Sequence, residues 1–388
     1  MVKQKINPNI NDPIENLYIH VPYCHQKCGY CDYYSVVKSP DYDLFLSGIK
    51  KEWEMTKSYI QKHNNRLAPL KTLYFGGGTP SILPPKILKN IIVFFEQEIG
   101  FDPQIEMTLE VNPEPQGQET VVAGIESGIN RISLGFQAQQ DELLKKIGRI
   151  HLFQDFLEML TLIRKNRLEN ISCDLMFALP DQTLADVLKS AQTLIDLDIP
   201  HVSFYSLDLE ENTPFYKKYH QSPELLPSTA EEREMYYQLL KIFEKNTYHY
   251  YELSSVAKNN LYSRHNTNYW STRPYLGLGP SAHSYFNGIR KGNIRSIKAW
   301  LDDPWQNAEF ETIDLELAMR EYAMLVFRQA KGFSVKEFEN RFRIKNPFEL
   351  ELESLIKQKL IIQDQTENRY YLSKQGLDFA NLVFMEFL

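Results

Sequence analysis

The sequence predicts an α/β protein, an incomplete barrel of six βα units followed by a mainly helical, winged-helix-like C-terminal domain. Up to about residue 215, short apolar runs alternate with amphipathic segments at intervals of roughly 25 to 40 residues, which is typical of a parallel sheet. Beyond that point the alternation stops and helical segments dominate. Three of the four cysteines follow the first apolar run within eight residues, which indicates a metal site at that end of the barrel.

The expected barrel elements alternate along the chain. The strands are residues 17–21, 72–75, 105–111, 132–134, 171–175 and 202–207. The helical segments are residues 41–62, 84–95, 141–147, 152–166 and 184–197. In the second of these segments, Ile87, Leu88 and Ile91 recur at helical spacing behind two prolines, which favours a helix that begins there. Ligands of such sheets bind at the carboxyl ends of the strands, and the cysteines follow the first of these ends.

The remainder of the chain is expected to contain fewer strands. Its predicted elements are a helix at 231–245, a strand at 248–253, a loop-rich stretch at 254–300, a helix at 315–329, helices from Ser334 and at 351–359, a hairpin of 360–362 with 369–372, and a final helix. The predicted domains are an N-terminal tail over 1–16, the barrel over 17–215, a barrel extension with loops over 216–300, and the C-terminal domain over 301–388.

Composition and charge narrow the function classes. The chain has 388 residues, of which 43% are hydrophobic, so it can supply a full core. Its net charge of −7 argues against nucleic-acid binding, which normally requires a basic face. No apolar run is long enough for a membrane-spanning helix, and residues 1–13 lack the apolar segment of a signal peptide. Together with the clustered cysteines, these features favour a cytoplasmic protein.

Cys24, Cys28 and Cys31 are close enough in sequence to share one metal site. An iron–sulfur cubane held by three cysteines would keep one iron open to a small molecule. A zinc site is the alternative, with His25 as the fourth ligand, although zinc normally uses two separated pairs of ligands. A disulfide would leave one of the three thiols unpaired. The fourth cysteine, Cys173, is expected to be a buried thiol.

The spacing C-x3-C-x2-C, with Tyr30 directly before the third cysteine, resembles the radical S-adenosylmethionine (SAM) superfamily. The resemblance implies a [4Fe–4S] cluster whose open iron binds the amino and carboxylate groups of SAM. The segment Gly76–Pro80 is similar to the superfamily's glycine loop at the methionine moiety of SAM, and glycines permit such a close approach. Glu110 ends the third strand, where the superfamily has an acid at or near the SAM ribose.

Three further stretches lie at or beyond strand ends. Residues 132–137 and 173–180 include the ends of the fourth and fifth strands, and residues 146–151 follow the fourth strand after one helical segment. With the earlier motifs, they resemble the oxygen-independent coproporphyrinogen III dehydrogenases and their HemW-type relatives over about residues 17–290. The positions implied to bind cofactors at the cluster are Tyr18, Tyr30, Gly77 and Glu110. The positions implied to bind a second SAM are Gly78, Thr79, Gln137, Arg149 and Asp174. Gln137-Ala138-Gln139 departs from the more usual Gln-Ser-Phe.

Two departures separate the chain from the dehydrogenases. The motif of the dehydrogenases is similar to C-x3-C-x2-C-x-C, with a further cysteine two residues after the third. In this sequence Tyr33 occupies that position. The dehydrogenases also carry a longer segment before the cluster, whereas 23 residues precede Cys24. Conversely, residues 265–270 match the H-N-x-x-Y-W motif of the HemW-type heme chaperones. This match implies His265 as a ligand of heme iron; the alternative is a hydrogen-bonded loop histidine, and His283 is a second candidate ligand.

The first hypothesis is a heme chaperone on this scaffold, which binds the cluster, SAM and heme and transfers heme to acceptor hemoproteins, respiratory ones among them. The alternative is an oxygen-independent coproporphyrinogen III dehydrogenase, which converts propionates to vinyl groups by radical decarboxylation. A third hypothesis is a radical SAM enzyme with another substrate. The expected partners also include an electron donor such as flavodoxin, a peripheral membrane contact and a second copy in a homodimer, but no nucleic acid.

Overall fold

The computed structural model describes residues 12–37, 40–63, 65–286 and 288–388. Its first half contains the six parallel strands β1 (Ile14–Val21), β2 (Leu67–Gly77), β3 (Phe101–Val111), β4 (Arg131–Gln137), β5 (Ile171–Phe177) and β6 (His201–Ser206). Each of the six predicted strands is present. β1 begins at Ile14, inside the predicted 1–16 tail, of which residues 1–11 lie outside the described residues.

A helix or a pair of helices follows each of the first five strands. These helices are α1 (Tyr42–Lys62), α2 (Pro85–Glu98), α3 (Gln118–Glu126), α4 (Asp141–Lys146), α5 (Phe153–Lys165) and α6 (Leu184–Asp196). α1 begins after Asp41, whose side chain accepts a hydrogen bond from the amide of Leu44. α2 begins with Pro85 at its first position, where proline removes no helical hydrogen bond. Five of these helices agree closely with the sequence prediction, and α3 was not predicted.

Three shorter strands extend the parallel sheet at its edges. They are β7 (His249–Glu252), β8 (Ser255–Ala257) and β9 (Leu276–Leu278). Across the described residues, the strand order is β7-β8-β6-β5-β4-β3-β2-β1-β9. β8 is antiparallel to β6 and to β7, whereas β9 is parallel to β1. The predicted incomplete barrel of six βα units is therefore present, with an extension at each edge.

Side chains along the strands alternate between two environments. One set is apolar and packs in the main core; it includes Leu17, Ile19, Leu73 and Phe75, and also Cys173, which is fully buried as the sequence predicts. The other set faces the barrel interior and is polar over much of its length: Asn16, Tyr18, His20, Thr72, Tyr74, Glu106, Thr108, Glu110, Arg131, Ser133, Ser172 and Asp174. Strands of parallel sheets are usually apolar on both faces, so this polar interior indicates a ligand site.

The stretch 254–300, predicted to be loop-rich, contains more regular structure than expected. It follows α7 (Pro214–Tyr219) and α8 (Thr229–Lys245), and its further elements are α9 (Arg264–Trp270), β10 (His283–Phe286), β11 (Ile289–Gly292) and α10 (Ile297–Asp302). β10 and β11 form a small antiparallel sheet with β12 (Glu309–Thr312). Strands of this length have too few residues for apolar alternation to distinguish them from loops.

A buried ion pair joins this extension to the barrel. The Glu52 carboxylate on α1 lies 2.6 Å from the ammonium group of Lys291 on β11, and both side chains are almost fully buried. Glu52 also accepts hydrogen bonds from the side chains of Asn293 and Trp300 and from the amide of Gly279. The buried charge is therefore fully bonded, and removal of one partner would leave the other uncompensated.

A second apolar core defines the C-terminal domain. Its elements are α11 (Leu315–Val326), β13 (Phe333–Ser334), α12 (Val335–Phe342), α13 (Glu349–Lys357), β14 (Ile361–Asp364), β15 (Arg369–Leu372), α14 (Lys374–Asp378) and α15 (Ala380–Met385). The predicted hairpin is β14 with β15, and β13 pairs with β15. The predicted final helix is two short helices. Within the described part of the chain, no helix is long and apolar enough to cross a membrane.

α9 lies between the barrel and the C-terminal domain. The guanidinium group of Arg341 on α12 donates to the carbonyl oxygens of Ser271 and Thr272, just beyond the end of α9. The guanidinium group of Arg328 lies 4.4 Å from the centre of the Trp270 ring. Two cationic side chains from the C-terminal half of the chain thus hold the last turn of α9.

Candidate functional site

The cysteine loop leaves the carboxyl end of β1. The amide of Cys24 donates to the carbonyl of Val36 over 3.2 Å, and the amide of Val36 donates to the carbonyl of Pro22 over 2.9 Å. The amide of Cys31 donates to the carbonyl of Cys28, which forms a tight turn between these cysteines. All three thiols belong to partly exposed residues. The loop therefore presents them at the carboxyl ends of the strands, which we call the mouth of the barrel.

The surroundings of the thiols fit an iron–sulfur cluster. A β-carbon at Gly78 would lie 3.0 Å from the sulfur of Cys24 and 2.6 Å from the carbonyl oxygen of Tyr23, so only glycine leaves this space. A single zinc ion needs its ligands within about 2.3 Å of one point. Among the described residues, no three His, Cys, Asp or Glu side chains are grouped for such an ion. A cubane receives its three thiolates at three different irons, so the donors fit a cluster better than zinc.

His25, the alternative fourth ligand for zinc, is bonded to another residue. Its Nδ1 atom lies 2.5 Å from the carboxylate of Glu114, which follows β3. Burial raises the pKa of the Cys24 thiol and raises the pKa of Cys31 to about 11. Metal ligation requires thiolates, so binding of a metal group here would release protons.

The glycine segment at the end of β2 permits close packing against neighbouring side chains. Gly77 has a φ of +113°, a conformation that residues with a β-carbon rarely adopt. A β-carbon at Gly76 would lie 2.8 Å from the Tyr18 ring, 2.9 Å from the Tyr74 ring and 3.0 Å from Glu110 Oε1. The backbone of this segment thus lies directly against the carboxylate of Glu110.

Glu110 lies near the end of β3, with its carboxylate bonded from two sides. One oxygen accepts from the hydroxyl of Tyr74 over 2.8 Å, and the other accepts from the amide of Gly77 over 3.1 Å. Burial raises the pKa of Glu110 to about 7; the hydrogen bond from Tyr74 lowers it, and the charge of Asp174 adds to the rise. A carboxyl group that ionises near neutral pH suits a ligand with hydroxyl donors, such as a ribose.

Tyr18 lies in the middle of β1, further from the mouth than Glu110. Its ring centre lies 5.9 Å from that of Tyr74, and its hydroxyl lies 3.1 Å from Nδ1 of His20. Nε2 of His20 lies 2.8 Å from the carbonyl oxygen of Tyr34. A carbonyl only accepts, so Nε2 carries the proton and Nδ1 accepts the hydroxyl hydrogen of Tyr18. Tyr18 is therefore oriented for a ligand through its ring and its hydroxyl lone pairs.

The positions matched to a second SAM lie around the same mouth. The hydroxyl of Thr79 lies 3.4 Å from the sulfur of Cys24, and Arg149 donates to the hydroxyl of Tyr30 over 2.8 Å. A β-carbon at Gly135 would lie 3.0 Å from the side-chain nitrogen of Gln137 and 3.6 Å from a terminal nitrogen of Arg149. Arg149 therefore lies between the cysteine loop and Gln137.

Gln137 and Asp174 occupy the far side of this group. Gln137 has a φ of +61°, which is costly for a residue with a β-carbon and is often found at functional sites. Its side-chain oxygen accepts from the hydroxyl of Tyr205 over 3.4 Å. Asp174 accepts from the hydroxyl of Ser133 over 3.2 Å. Burial raises the pKa of Asp174 to about 6, against the opposing charge of Arg149.

Asn112, which sequence reasoning did not assign to the site, connects these groups. Its side-chain oxygen accepts from Arg149 over 2.7 Å. Its side-chain nitrogen lies 3.1 Å from the hydroxyl of Thr79 and 3.2 Å from the carboxylate of Glu114. Asn112 thereby joins residues matched to a second SAM to the loop that holds the thiols. Its position two residues after Glu110, still on the inner face, was the available signal.

The two candidate heme ligands differ in accessibility. His265 lies on α9, not in a loop, and is buried among the amino-terminal halves of the strands. Its Nδ1 lies 2.6 Å from the hydroxyl of Thr72, and its Nε2 lies 2.7 Å from the hydroxyl of Tyr269. Neither nitrogen is open to heme iron in this arrangement, so ligation by His265 stays a prediction and would require one of these bonds to break. The ring of His283 belongs to an exposed residue.

The model of the radical SAM superfamily matches residues 18–194. The heme chaperone HemW of Lactococcus lactis is 32% identical over 96% of this chain and 96% of its own length. The chain belongs to the HemW family of the radical SAM superfamily. HemW of Bacillus subtilis is similar to it as well, with 33% identity over 97% of this chain and 99% of its own length.

One solved structure shares the fold of this HemW family member along nearly its whole length. Coproporphyrinogen III oxidase HemN of Escherichia coli, a radical SAM enzyme, has a TM-score of 0.81 over 97% of this chain and 90% of that chain. Its sequence identity is 18%, so the likeness demonstrates the fold alone. The predicted radical SAM barrel and the predicted HemW resemblance are thus confirmed.

Proposed function

We propose that this protein is a heme chaperone that carries a [4Fe–4S] cluster, binds SAM beside it and transfers heme to acceptor hemoproteins. The observation that carries the proposal is the near full-length similarity to heme chaperones, at 32% identity over 96% of both chains. Similarity of this extent includes the C-terminal domain and the H-N-x-x-Y-W segment as well as the barrel. The cytoplasm is the proposed location.

The residues at the mouth support the two cofactors. Cys24, Cys28 and Cys31 would hold the cluster, which supplies one-electron reduction to a bound SAM. Gly77 and Glu110 would meet SAM through a backbone without a β-carbon and a carboxylate that ionises near neutral pH. Tyr18 and Tyr30 would border this cofactor region, since Tyr18 packs against Tyr74 and the hydroxyl of Tyr30 accepts from Arg149.

We also propose a second SAM site beside the first. Gly78, Thr79, Gln137, Arg149 and Asp174 would form it. Their proximity to Asn112 or to one another supports a polar compartment that adjoins the cluster. The carboxyl group of Asp174 and the guanidinium group of Arg149 match a ligand that carries both signs of charge, which SAM does.

Heme needs an accessible imidazole if its iron is to be ligated by histidine. His283 is an exposed residue, whereas both ring nitrogens of the buried His265 are hydrogen bonded. This conformation favours His283 over His265 as the first ligand to test. A respiratory acceptor, flavodoxin as electron donor, membrane contact and a homodimer remain parts of the proposal that binding experiments would test individually.

Oxygen-independent coproporphyrinogen III dehydrogenase is the alternative function. The fold of HemN favours it, but at 18% identity a common fold does not carry the activity over. Tyr33 stands where the dehydrogenases have a further cysteine, so no fourth thiol follows Cys31 at that position. The presence of Tyr33 at this position supports heme transfer over decarboxylation.

The deciding experiment uses the full chain, reconstituted without oxygen. Heme is titrated and followed by absorbance, with H283A and H265A as ligand variants. In parallel, coproporphyrinogen III, SAM and a reductant are supplied, and the products are separated. Stoichiometric heme binding, transfer to an apo-hemoprotein and no vinyl product are expected. Protoporphyrinogen formed over many turnovers would overturn the proposal in favour of the dehydrogenase.

A further inference from the structure

His265 is the buried centre of a hydrogen-bonded chain whose directions can be assigned. The hydroxyl of Thr72 donates to the side-chain oxygen of Asn16 over 2.9 Å, and the side-chain nitrogen of Asn16 donates to the carbonyl of Pro274 over 3.1 Å. The single hydrogen of the Thr72 hydroxyl is therefore committed. That hydroxyl must accept from Nδ1–H of His265, and Nε2 then accepts from the hydroxyl of Tyr269.

The backbone of the same residue is fixed as well. The carboxylate of Glu106, on β3, accepts from the amide of His265 over 3.0 Å and from the amide of Arg264 over 3.1 Å. These are amides of the first turn of α9, which have no partner within the helix. The ring therefore has a single orientation, held by the backbone on one side and by two hydroxyls on the other.

This fixed ring lies against the aromatic residues under the SAM region. The rings of His265 and Tyr74 are stacked, with centres 4.9 Å apart, and the centre of the Tyr18 ring lies 6.4 Å from that of His265. On the opposite side, Tyr74 donates to Glu110, and Gly76 packs against both tyrosines and Glu110. A continuous series of contacts thus leads from His265 on α9, through the ring of Tyr74, to the carboxylate of Glu110.

We infer that His265 is a positioning residue for SAM: its ring supports Tyr18 and Tyr74 and thereby holds Glu110 against the backbone of Gly77. The inference rests on the proposed SAM site at Glu110. It gives the histidine of the H-N-x-x-Y-W segment a role inside the barrel that needs no contact with heme iron.

The barrel contains a matched control residue. His201 on β6 is also fully buried, and it has the same kinds of partner: the hydroxyl of Ser172 lies 2.7 Å from its Nδ1, and the hydroxyl of Tyr251 lies 2.8 Å from its Nε2. Its ring packs beside Tyr251, not against Tyr18 or Tyr74. H201A should therefore carry the cost of losing a buried, bonded imidazole without losing support beneath Glu110.

The test compares wild type, H265A, H265N and H201A, each reconstituted with iron and sulfide. The asparagine side chain can keep the donor that Nδ1–H provides to Thr72. Iron content and thermal unfolding are measured first, then the affinity for SAM by equilibrium dialysis, then the SAM-induced change in the electron paramagnetic resonance spectrum of the reduced cluster. Heme binding is followed by absorbance.

In H265A, SAM should bind about tenfold more weakly, the size of one impaired hydrogen bond to a charged group, with iron content unchanged and a smaller SAM-induced spectral change. H265N should recover part of the affinity, and H201A should bind SAM like wild type despite lower stability. The inference is overturned if H265A binds SAM like wild type, if H201A weakens SAM equally, or if H265A loses only its heme absorbance band. If wild type itself does not bind SAM, the proposed function fails together with the inference.

Discussion

The two ends of the barrel are both lined by polar side chains, but they satisfy them differently. At the amino end, the base formed by Asn16, Thr72, Glu106 and His265 is buried, and its hydrogen bonds close on one another. At the mouth, the three cysteine residues are partly exposed, and two carboxyl groups have raised pKa values. Polar groups that are fully paired indicate structure, whereas polar groups with remaining capacity indicate a ligand.

This difference separates two motifs that look equally functional in the sequence. The cysteine motif lies at the mouth, where a cofactor can enter. The H-N-x-x-Y-W motif begins on α9, and its histidine belongs to the base. If the contrast holds, changes at the mouth should affect the cofactors more strongly than changes at the base.

The largest effect is expected at the thiols. C31S should lose the cluster completely, because a neutral hydroxyl does not replace a thiolate ligand. Iron and sulfide content, and the absorbance of the reconstituted cluster, measure this. C173A is the control: its thiol lies in the apolar core, so iron content should match wild type. A cluster of normal content in C31S would contradict the assignment of the ligands.

Removal of the charge at Glu110 should come next. E110Q should weaken SAM binding by about 10- to 100-fold, the range for hydrogen bonds to a charged group, as measured by equilibrium dialysis on the loaded protein. Because burial already disfavours the ionised form of Glu110, removal of its charge should not markedly lower the free energy of unfolding. E119Q, at an exposed position on α3, is the control. Equal affinities in E110Q and wild type would remove Glu110 from the site.

The pH dependence of SAM binding should be smaller. The pKa of Glu110 is raised to about 7, so the folded protein holds this proton at pH 6 and has lost it at pH 8. The ribose hydroxyls of SAM donate more strongly to the ionised carboxylate of Glu110 than to its neutral form. The affinity for SAM should therefore rise by about tenfold from pH 6 to pH 8. Tyr74, Asp174 and Arg131 face the same carboxyl and set this value together with burial. In E110Q the step near pH 7 should be absent; a step that persists there would assign it to Asp174.

The smallest effect on SAM is expected at the base. E106Q keeps the shape of the side chain, but its NH2 group cannot accept a hydrogen bond, so the amide of either Arg264 or His265 loses its acceptor. The free energy of unfolding should fall by about 1 kcal/mol, measured by denaturant titration. SAM affinity should change less than threefold, because the ring of His265 keeps Thr72 and Tyr269 as partners. A loss as large as that of E110Q would erase the contrast between the two ends.

The sequence predicted the six barrel strands and five of the helices between them, because most of these elements contain enough residues for their periodicity to be visible. The positions of Glu110, Gln137 and Asp174 towards the ends of successive strands also predicted that they would lie around one mouth, while their role in binding SAM stays a prediction. The same reasoning missed β8 to β12, whose three or four residues are too few for alternation to distinguish a strand from a loop. It also missed the partners of Glu52, since ion pairs between residues 239 positions apart leave no local pattern.

For the site, residue types could be predicted but their bonding could not. His265 was recognised from a motif, yet the motif does not reveal that Thr72 and Tyr269 occupy both ring nitrogens. Asn112 belongs to no motif that the sequence analysis assigned, and its partners Thr79 and Arg149 lie in other segments of the chain. Such information resides in the packing of distant segments, and only the folded structure contains it.

The parallel pairing of β9 with β1 has a consequence for how the chain is made. The cysteine loop extends from β1, but one edge of β1 stays unpaired until Leu276–Leu278 has left the ribosome. During that interval the nascent chain presents an open strand edge next to three reactive thiols, which favours aggregation and oxidation. Cluster insertion should therefore follow the synthesis of the extension. A fragment ending at residue 215, although it contains every cysteine, should aggregate when expressed alone.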